Sequence, residues 1–179
     1  MSRGRLAGCR LGAAVAVSAA AAVSGFVGAG AAPAGVVSVP GCATSGLVVW
    51  LDTQGSGAAG STYYNLELTN LSGRACTLFG YPGVSAVDLA GRQLGSAAGR
   101  DPVHRPRLVT LARGATATVV LRIVDAGNYP PSTCRPVTAA GLRVYPPNQR
   151  AAKLVPFPFR ACSRIGPAYL SVEVARKSA

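Results

Sequence analysis

The alternation of apolar and polar side chains predicts β-strands over most of the chain after residue 41. In residues 61–70 the side chains of Tyr64, Leu66 and Leu68 share one side of an extended backbone, and polar residues occupy the other side. Residues 115–124 repeat this alternation. A period of two is typical of a strand with one face on the core and one face in solvent.

Shorter runs rich in Val, Leu and aromatic residues also predict strands, because Gly, Pro and Ser residues separate them. No segment has an apolar period long enough to predict a secure helix. The predicted strands number about nine, and they cover residues 47–51, 61–70, 76–79, 84–89, 108–111, 115–124, 141–145, 154–159 and 169–174.

Many short strands joined by turns are typical of an all-β fold, and we expect an immunoglobulin-like β-sandwich. Only 6% of the residues are aromatic, so its core must rely on Val and Leu. Residues 54–60 are predicted to be a flexible loop, and residues 128–136 a proline-rich loop. Pro156 and Pro158 lack the N–H that a central strand needs, which places residues 154–159 at a sheet edge.

The aromatic side chains divide into predicted core and predicted surface residues. Trp50 lies in a continuous apolar run and Tyr64 lies on the apolar side of its strand, so we expect both in the core. Tyr81, in a turn, and Tyr129, before a proline, are better candidates for surface contacts such as carbohydrate binding. Amphipathic rings suit such partly hydrated positions.

The N-terminus has the pattern of a signal peptide. Arg3, Arg5 and Arg10 precede an uncharged stretch at residues 11–32, which ends in small residues that suit cleavage. A retained membrane anchor or lipidation at Cys42 are the alternatives. The predicted organisation is a signal peptide at 1–34, a short linker at 35–41, a β-sandwich domain at 42–174 and a flexible tail at 175–179.

Removal of the signal peptide would discard Cys9 and leave four cysteines. An even number in an exported chain predicts disulfides, with three connectivities open. The cysteines lack a C-x-x-C spacing, which argues against a zinc site. We favour Cys42–Cys76 and Cys134–Cys162 among the three, because each pair closes a moderate loop within one half of the domain.

The charge of the chain favours anionic partners. Three of the 18 Lys and Arg residues lie in the predicted leader, so the remaining chain has 15 basic and 6 acidic residues and a net charge of +9. Such a surface attracts polyanions, although the arginine content is also explained by genome composition. The candidate anion-binding residues are Arg100, Arg105, Arg107 and Arg113, and Arg143, Arg150 and Lys153 would extend the set.

The sequence offers no catalytic motif. His104 is the only histidine, and arginines surround it in its loop. A catalytic triad needs a nucleophile, a base and an orienting acid, and the sequence gives no sign of this arrangement around His104. No G-x-S-x-G or phosphate-binding glycine motif is present, and the six acidic residues are scattered. We therefore expect no enzyme activity, no cofactor and no metal site.

Several motifs, taken in order, resemble the domain-of-unknown-function family 4232, which is found in exported actinobacterial proteins. The resemblance implies an extracellular β-sandwich with four cysteines, often behind a signal peptide or a lipoprotein anchor, and it implies no reaction. The motifs are Cys42, Y-x-L-x-L-T-N at 64–70, C-x-L-x-G-Y-P-G-V at 76–84, V-T-L-x-x-G at 109–114, C-x-P at 134–136, G-L-R-V-Y-P-P at 141–147, and Cys162.

We therefore expect a secreted or envelope-associated binding or scaffold protein. Its partner would be an anionic wall polymer or an envelope protein. We expect the protein to be a monomer, to bind no specific nucleic acid and to have no membrane span after cleavage. The alternative is a structural or inhibitor-like protein whose edge strand at 154–159 pairs with a partner chain.

Overall fold

A computed structural model describes residues 38–178. The predicted signal peptide, Cys9 and the first three residues of the predicted linker lie outside this range. Within residues 38–178 no helical segment has the length and apolar character that crossing a bilayer requires.

Strands make up most of the described chain. One 3₁₀ turn (Thr44–Gly46) precedes the first strand, and a second (Ala126–Asn128) and one short helix, α1 (Pro131–Cys134), lie between strands. Twelve strands are present in residues 38–178: β1 (Leu47–Ala58), β2 (Ser61–Asn70), β3 (Cys76–Phe79), β4 (Gly83–Val87), β5 (Gln93–Leu94), β6 (Gly99–Arg100), β7 (Leu108–Leu111), β8 (Thr116–Val124), β9 (Pro136–Tyr145), β10 (Lys153–Cys162), β11 (Leu170–Val172) and β12 (Arg176–Lys177).

The strands form three hydrogen-bonded sheets. The largest sheet has the order β1-β2-β8-β11-β6, with β12 also paired to β8. A second sheet has the order β10-β9-β4-β5, and β3 pairs with β7 in a two-stranded ribbon. The pairings are antiparallel except for β6 with β11. The predicted all-β class is confirmed.

The alternation along β2 and β8 builds the core. Leu66 and Leu68 of β2 and Leu121 of β8 are fully buried, and the intervening residues face outward. The half-buried ring of Tyr64 packs edge-on against Phe157 of β10 at 5.0 Å between ring centroids. This contact joins the six-stranded sheet to the four-stranded sheet, as expected for a β-sandwich-like arrangement.

Each predicted strand has a counterpart, although several bounds were wrong. Residues 54–60 are not a loop, because β1 continues to Ala58 and a register shift between Asp52 and Ser56 restores its pairing with β2. The proline-rich loop contains α1 and the first residue of β9. The three strands not predicted, β5, β6 and β12, have two residues each, which is too short to produce an alternation.

The tail was also predicted incorrectly. Arg176 and Lys177 pair with Thr118 and Ala117 of β8, and Ala175 is buried. The polar composition of this segment indicated a frayed end, whereas the exposed ladder groups of β8 provide a partner for its backbone.

The prediction of a buried Trp50 was wrong, since its side chain is 46% exposed. The burial along β1 alternates, with Leu47 and Leu51 inside and Val48 and Trp50 outside. A continuous apolar run predicts a strand covered on both faces, but β1 lies at an edge of the largest sheet and its outer face is open. The indole Nε1 donates to Thr69 Oγ1 at 3.4 Å.

Two further predictions are confirmed: the edge position of residues 154–159 and the pairing of the four cysteines. β10 is an edge strand of the four-stranded sheet, with a register shift between Pro156 and Phe159. The disulfides are Cys42–Cys76 and Cys134–Cys162. The first links the segment before β1 to the start of β3, and the second links α1 to the end of β10.

A buried asparagine fastens the turns at one end of the fold. Asn70 is fully buried, and its Nδ2 donates to the carbonyls of Arg74, Leu111 and Ala112 at 2.9, 3.0 and 3.2 Å. Its Oδ1 accepts from the N–H and the hydroxyl of Ser72 at 2.9 and 2.7 Å. One side chain therefore joins the end of β2 to the end of β7, which lies in a different sheet.

We expect the double substitution Cys134→Ala and Cys162→Ala to lower the free energy of unfolding by about 3–4 kcal/mol, because the unfolded chain regains the freedom of the loop. Chemical denaturation would measure this loss. The pair Cys42→Ala and Cys76→Ala is the comparison, since its loop is only slightly longer, with a sequence separation of 34 against 28. A marked difference between the two losses would contradict a loop-closure origin.

We expect Asn70→Ala to lower the free energy of unfolding by about 3 kcal/mol, because three carbonyls each lose a hydrogen bond from a fully buried side chain. Asn65→Ala, at an exposed position of the same strand, should change it by less than about 0.5 kcal/mol. Denaturant unfolding of both variants checks this. If Asn70→Ala lowers the free energy of unfolding no more than Asn65→Ala does, the proposed stabilising role of Asn70 is contradicted.

Candidate functional site

A surface groove of about 610 Å³ lies between β7 and the C-terminal segment that contains β12. One wall is formed by β7 and the loop before it, and the other by residues 174–177. The lining residues are Val103, His104, Arg105, Arg107, Leu108, Val109, Thr110, Val174, Ala175, Arg176 and Lys177.

The groove is strongly cationic. Arg105, Arg107, Arg176 and Lys177 are all exposed side chains, and no acidic residue of the described chain is among those that line it. Like charges that converge on one concave surface raise the local concentration of counter-ions. The geometry therefore favours an anionic ligand.

The strand pairings position the two walls. β7 pairs with β3 so that Val109 and Leu111 are buried while Leu108 and Thr110 face outward. β12 is held by its ladder with β8. The Ala175 N–H also donates to the Gly80 carbonyl at 3.0 Å, which connects the C-terminal wall to the turn that follows β3.

A carboxylate beside the groove holds one of its arginines. Glu173 is 17% exposed, and its Oε2 lies 3.3 Å from Arg176 Nη2 and 3.7 Å from His104 Nε2. The second terminal nitrogen of Arg176, Nη1, is 3.1 Å from His104 Nε2. The same Oε2 is buried and receives no hydrogen bond within the described residues. Glu173 therefore attracts Arg176 through their opposite charges, and an anion in the groove would compete with Glu173 for this arginine.

The structure brings together two of the four predicted anion-binding arginines. Arg105 and Arg107 line the groove. Arg100 instead lies over the Tyr81 ring, with 5.6 Å from its guanidinium carbon to the ring centroid. Arg113 follows the opposite end of β7, in the turn into β8, and neither Arg100 nor Arg113 is among the residues that line the groove.

The proposed extension of the basic surface is not part of this groove either. Arg143 donates to the Gly91 carbonyl on the four-stranded sheet, and neither Arg150 nor Lys153 is among the lining residues. Of the two candidate surface tyrosines, Tyr81 is half-buried beneath Arg100. The hydroxyl of Tyr129 donates to the Ala168 carbonyl at 3.3 Å.

Sequence reasoning missed Arg176 and Lys177 because it assigned them to a tail. The available signal was the pair of basic residues that follows an apolar strand, but nothing in the local pattern shows that these residues return to β8. The groove forms only when residues 103–110 and residues 174–177, which are far apart along the chain, meet.

The side chains of the groove suit binding. Guanidinium groups donate several hydrogen bonds in a fixed plane and match phosphate or carboxylate oxygens. His104 has Glu173 and Arg176 as its polar neighbours. No group of three metal-ligating side chains occurs among residues 38–178.

These features define a class: an all-β, β-sandwich-like domain with two disulfides and a cationic surface groove. Its sequence matches the family described as Domain of unknown function (DUF4232) over residues 42–175, and the chain belongs to this family. No curated protein matches the chain. The resemblance noted from the sequence motifs is thus confirmed.

We expect Glu173→Gln to raise the affinity of the groove for inorganic triphosphate by about threefold, or ~0.7 kcal/mol, because Arg176 loses a competing anion. Calorimetric titration at low salt measures the affinity. Asp52→Asn is the matched control, since it removes the same charge from β1, away from the groove. An equal gain from both substitutions would show that only the net charge matters.

Proposed function

We propose that this protein is exported and binds an anionic polymer of the cell envelope through the groove between β7 and β12. The observation that carries the proposal is the convergence of four cationic side chains on one groove whose described lining includes no acid. The chemistry recognised would be a repeated phosphate or carboxylate group.

Export is supported by the cysteines and by the N-terminal pattern. All four cysteines of the described chain are in disulfides, and such bonds form and persist in oxidising compartments. A basic segment followed by an uncharged stretch within residues 1–34 has the pattern of a signal peptide.

A polymer is favoured over a small anion by the exposure of the cations. Arg105, Arg107, Arg176 and Lys177 are all solvent-exposed, and an ion pair at such a position contributes about 1 kcal/mol or less. One small anion would therefore bind weakly. A chain of anions gains from each successive contact, since later contacts are intramolecular.

Partner pairing through β10 is the second candidate, and its support is that β10 is an edge strand. Its composition argues against extended pairing, because Pro156 and Pro158 have no N–H to donate to an added strand. The groove therefore accounts better for a binding role.

We expect the double substitution Arg105→Gln and Arg107→Gln to weaken retention on purified cell wall about tenfold, or ~1.4 kcal/mol, because two cations leave the groove. Retention would be measured as the bound fraction across a salt titration. The binding of the unmodified protein should weaken steadily as salt rises, since exposed charges are screened.

The control is the double substitution Arg113→Gln and Arg150→Gln, which removes two positive charges from exposed positions outside the groove. It should leave retention within about twofold of the unmodified protein. Equal losses from both double variants would indicate adsorption by net charge and overturn the groove as the binding site.

A further inference from the structure

A second pocket, of about 540 Å³, lies where the β1–β2 hairpin meets the 3₁₀ turn after β8. Its chemistry differs from that of the cationic groove. The lining residues are Gly57, Ala58, Ala59, Gly60, Ser61, Thr62, Tyr64, Ile123, Asp125, Phe159 and Arg160.

Two hydrogen bonds from the turn after β8 hold the rim of this pocket in place. The Gly60 carbonyl accepts from the Asp125 N–H at 2.9 Å and from Asn128 Nδ2 at 2.8 Å. At the tip of the hairpin Ala59 and Gly60 both have positive φ, of 25° and 74°. Alanine is strained in this region, so these bonds hold a backbone shape that the local sequence alone does not favour.

Aromatic rings form one wall. Tyr64 and Phe159 line the pocket, and Phe157 lies between them, with its centroid 5.0 Å from Tyr64 and 5.7 Å from Phe159. All three rings are half-buried. Their mutual packing fixes their orientation and leaves apolar ring surface available to a ligand.

Two residues of opposite charge, Asp125 and Arg160, also line the pocket. Asp125 Oδ1 accepts from the Gly127 N–H at 2.8 Å, whereas Oδ2 has no hydrogen-bond partner within the described residues. The Arg160 side chain is exposed and forms no ion pair with any residue in the range 38–178. One carboxylate and one guanidinium cancel in net charge but still offer an acceptor and several donors.

We propose that this pocket binds a neutral sugar ring of a polysaccharide. The C–H face of the ring would lie on the aromatic wall, and its hydroxyl groups would bond to Asp125 and Arg160. A polyanion is disfavoured because Asp125 repels it, and a purely apolar ligand is disfavoured because it would strip water from both charged groups. Pockets with apolar walls and a few convergent polar groups are typical of small-ligand sites.

The site is separate from the anion-binding groove. β12 pairs with β8 at Thr118, whereas the pocket includes Ile123 of the same strand. Five strand residues span about 17 Å. The proposal therefore goes beyond the anionic function and stands or falls independently of it.

The test is binding of two neutral oligosaccharides, cellotetraose and tetra-N-acetylchitotetraose, to the purified full chain, measured by saturation-transfer difference NMR. Gly57→Phe should abolish the signal, because Gly57 lines the pocket and an added Cβ meets no atom within 4 Å, so that a bulky side chain can be introduced there without a clash. Gly73→Phe is the matched control, since its Cβ is equally free and lies outside the pocket. It should leave the signal unchanged.

Asp125→Asn provides a second test that preserves the fold, because an asparagine oxygen can still accept from the Gly127 N–H. Loss of the charged acceptor should weaken sugar binding about tenfold. Thermal melts of all three variants confirm that they fold. The proposal is overturned if neither sugar binds, if Gly57→Phe and Gly73→Phe bind equally, or if binding is lost in the Arg105→Gln and Arg107→Gln variant instead.

Discussion

The attachment of the β3–β7 ribbon to the larger sheets is the constraint on which the cationic groove depends. Two strands alone are marginally stable in water. The ribbon is fixed at β3 by the Cys42–Cys76 disulfide and at the end of β7 by the bonds from Asn70 to the carbonyls of Leu111 and Ala112. The disulfide and the buried asparagine together stabilise the ribbon, because the pairing of two short strands is too weak to do so alone.

This attachment matters because β7 carries one wall of the groove. Arg105 and Arg107 lie just before that strand, and Arg176 and Lys177 reach the opposite wall through their ladder with β8. Four exposed cations repel one another, so their convergence costs free energy that the surrounding fold must offset. Glu173, close to Arg176, reduces part of this repulsion.

Much of the fold was predictable because it depends on local alternation. The buried positions of β2 and β8 follow the period of two, and the edge position of β10 follows from Pro156 and Pro158, which donate no hydrogen bond. The prediction for Trp50 failed because a continuous apolar run does not reveal which of its faces another layer covers. The two-residue strands escaped prediction because they depend on partners far along the chain.

The sequence by itself determined the all-β class, the family and the cysteines available for bonding, since periodicity, motif order and residue type are properties of the linear chain. It also indicated Arg105 and Arg107 as candidate anion-binding residues. Only the tertiary structure decided that Arg100 and Arg113 lie elsewhere and that Arg176 and Lys177 complete the groove. The physical reason is that side chains from distant segments converge through backbone pairing, and such pairing leaves no periodic trace in a segment of two residues.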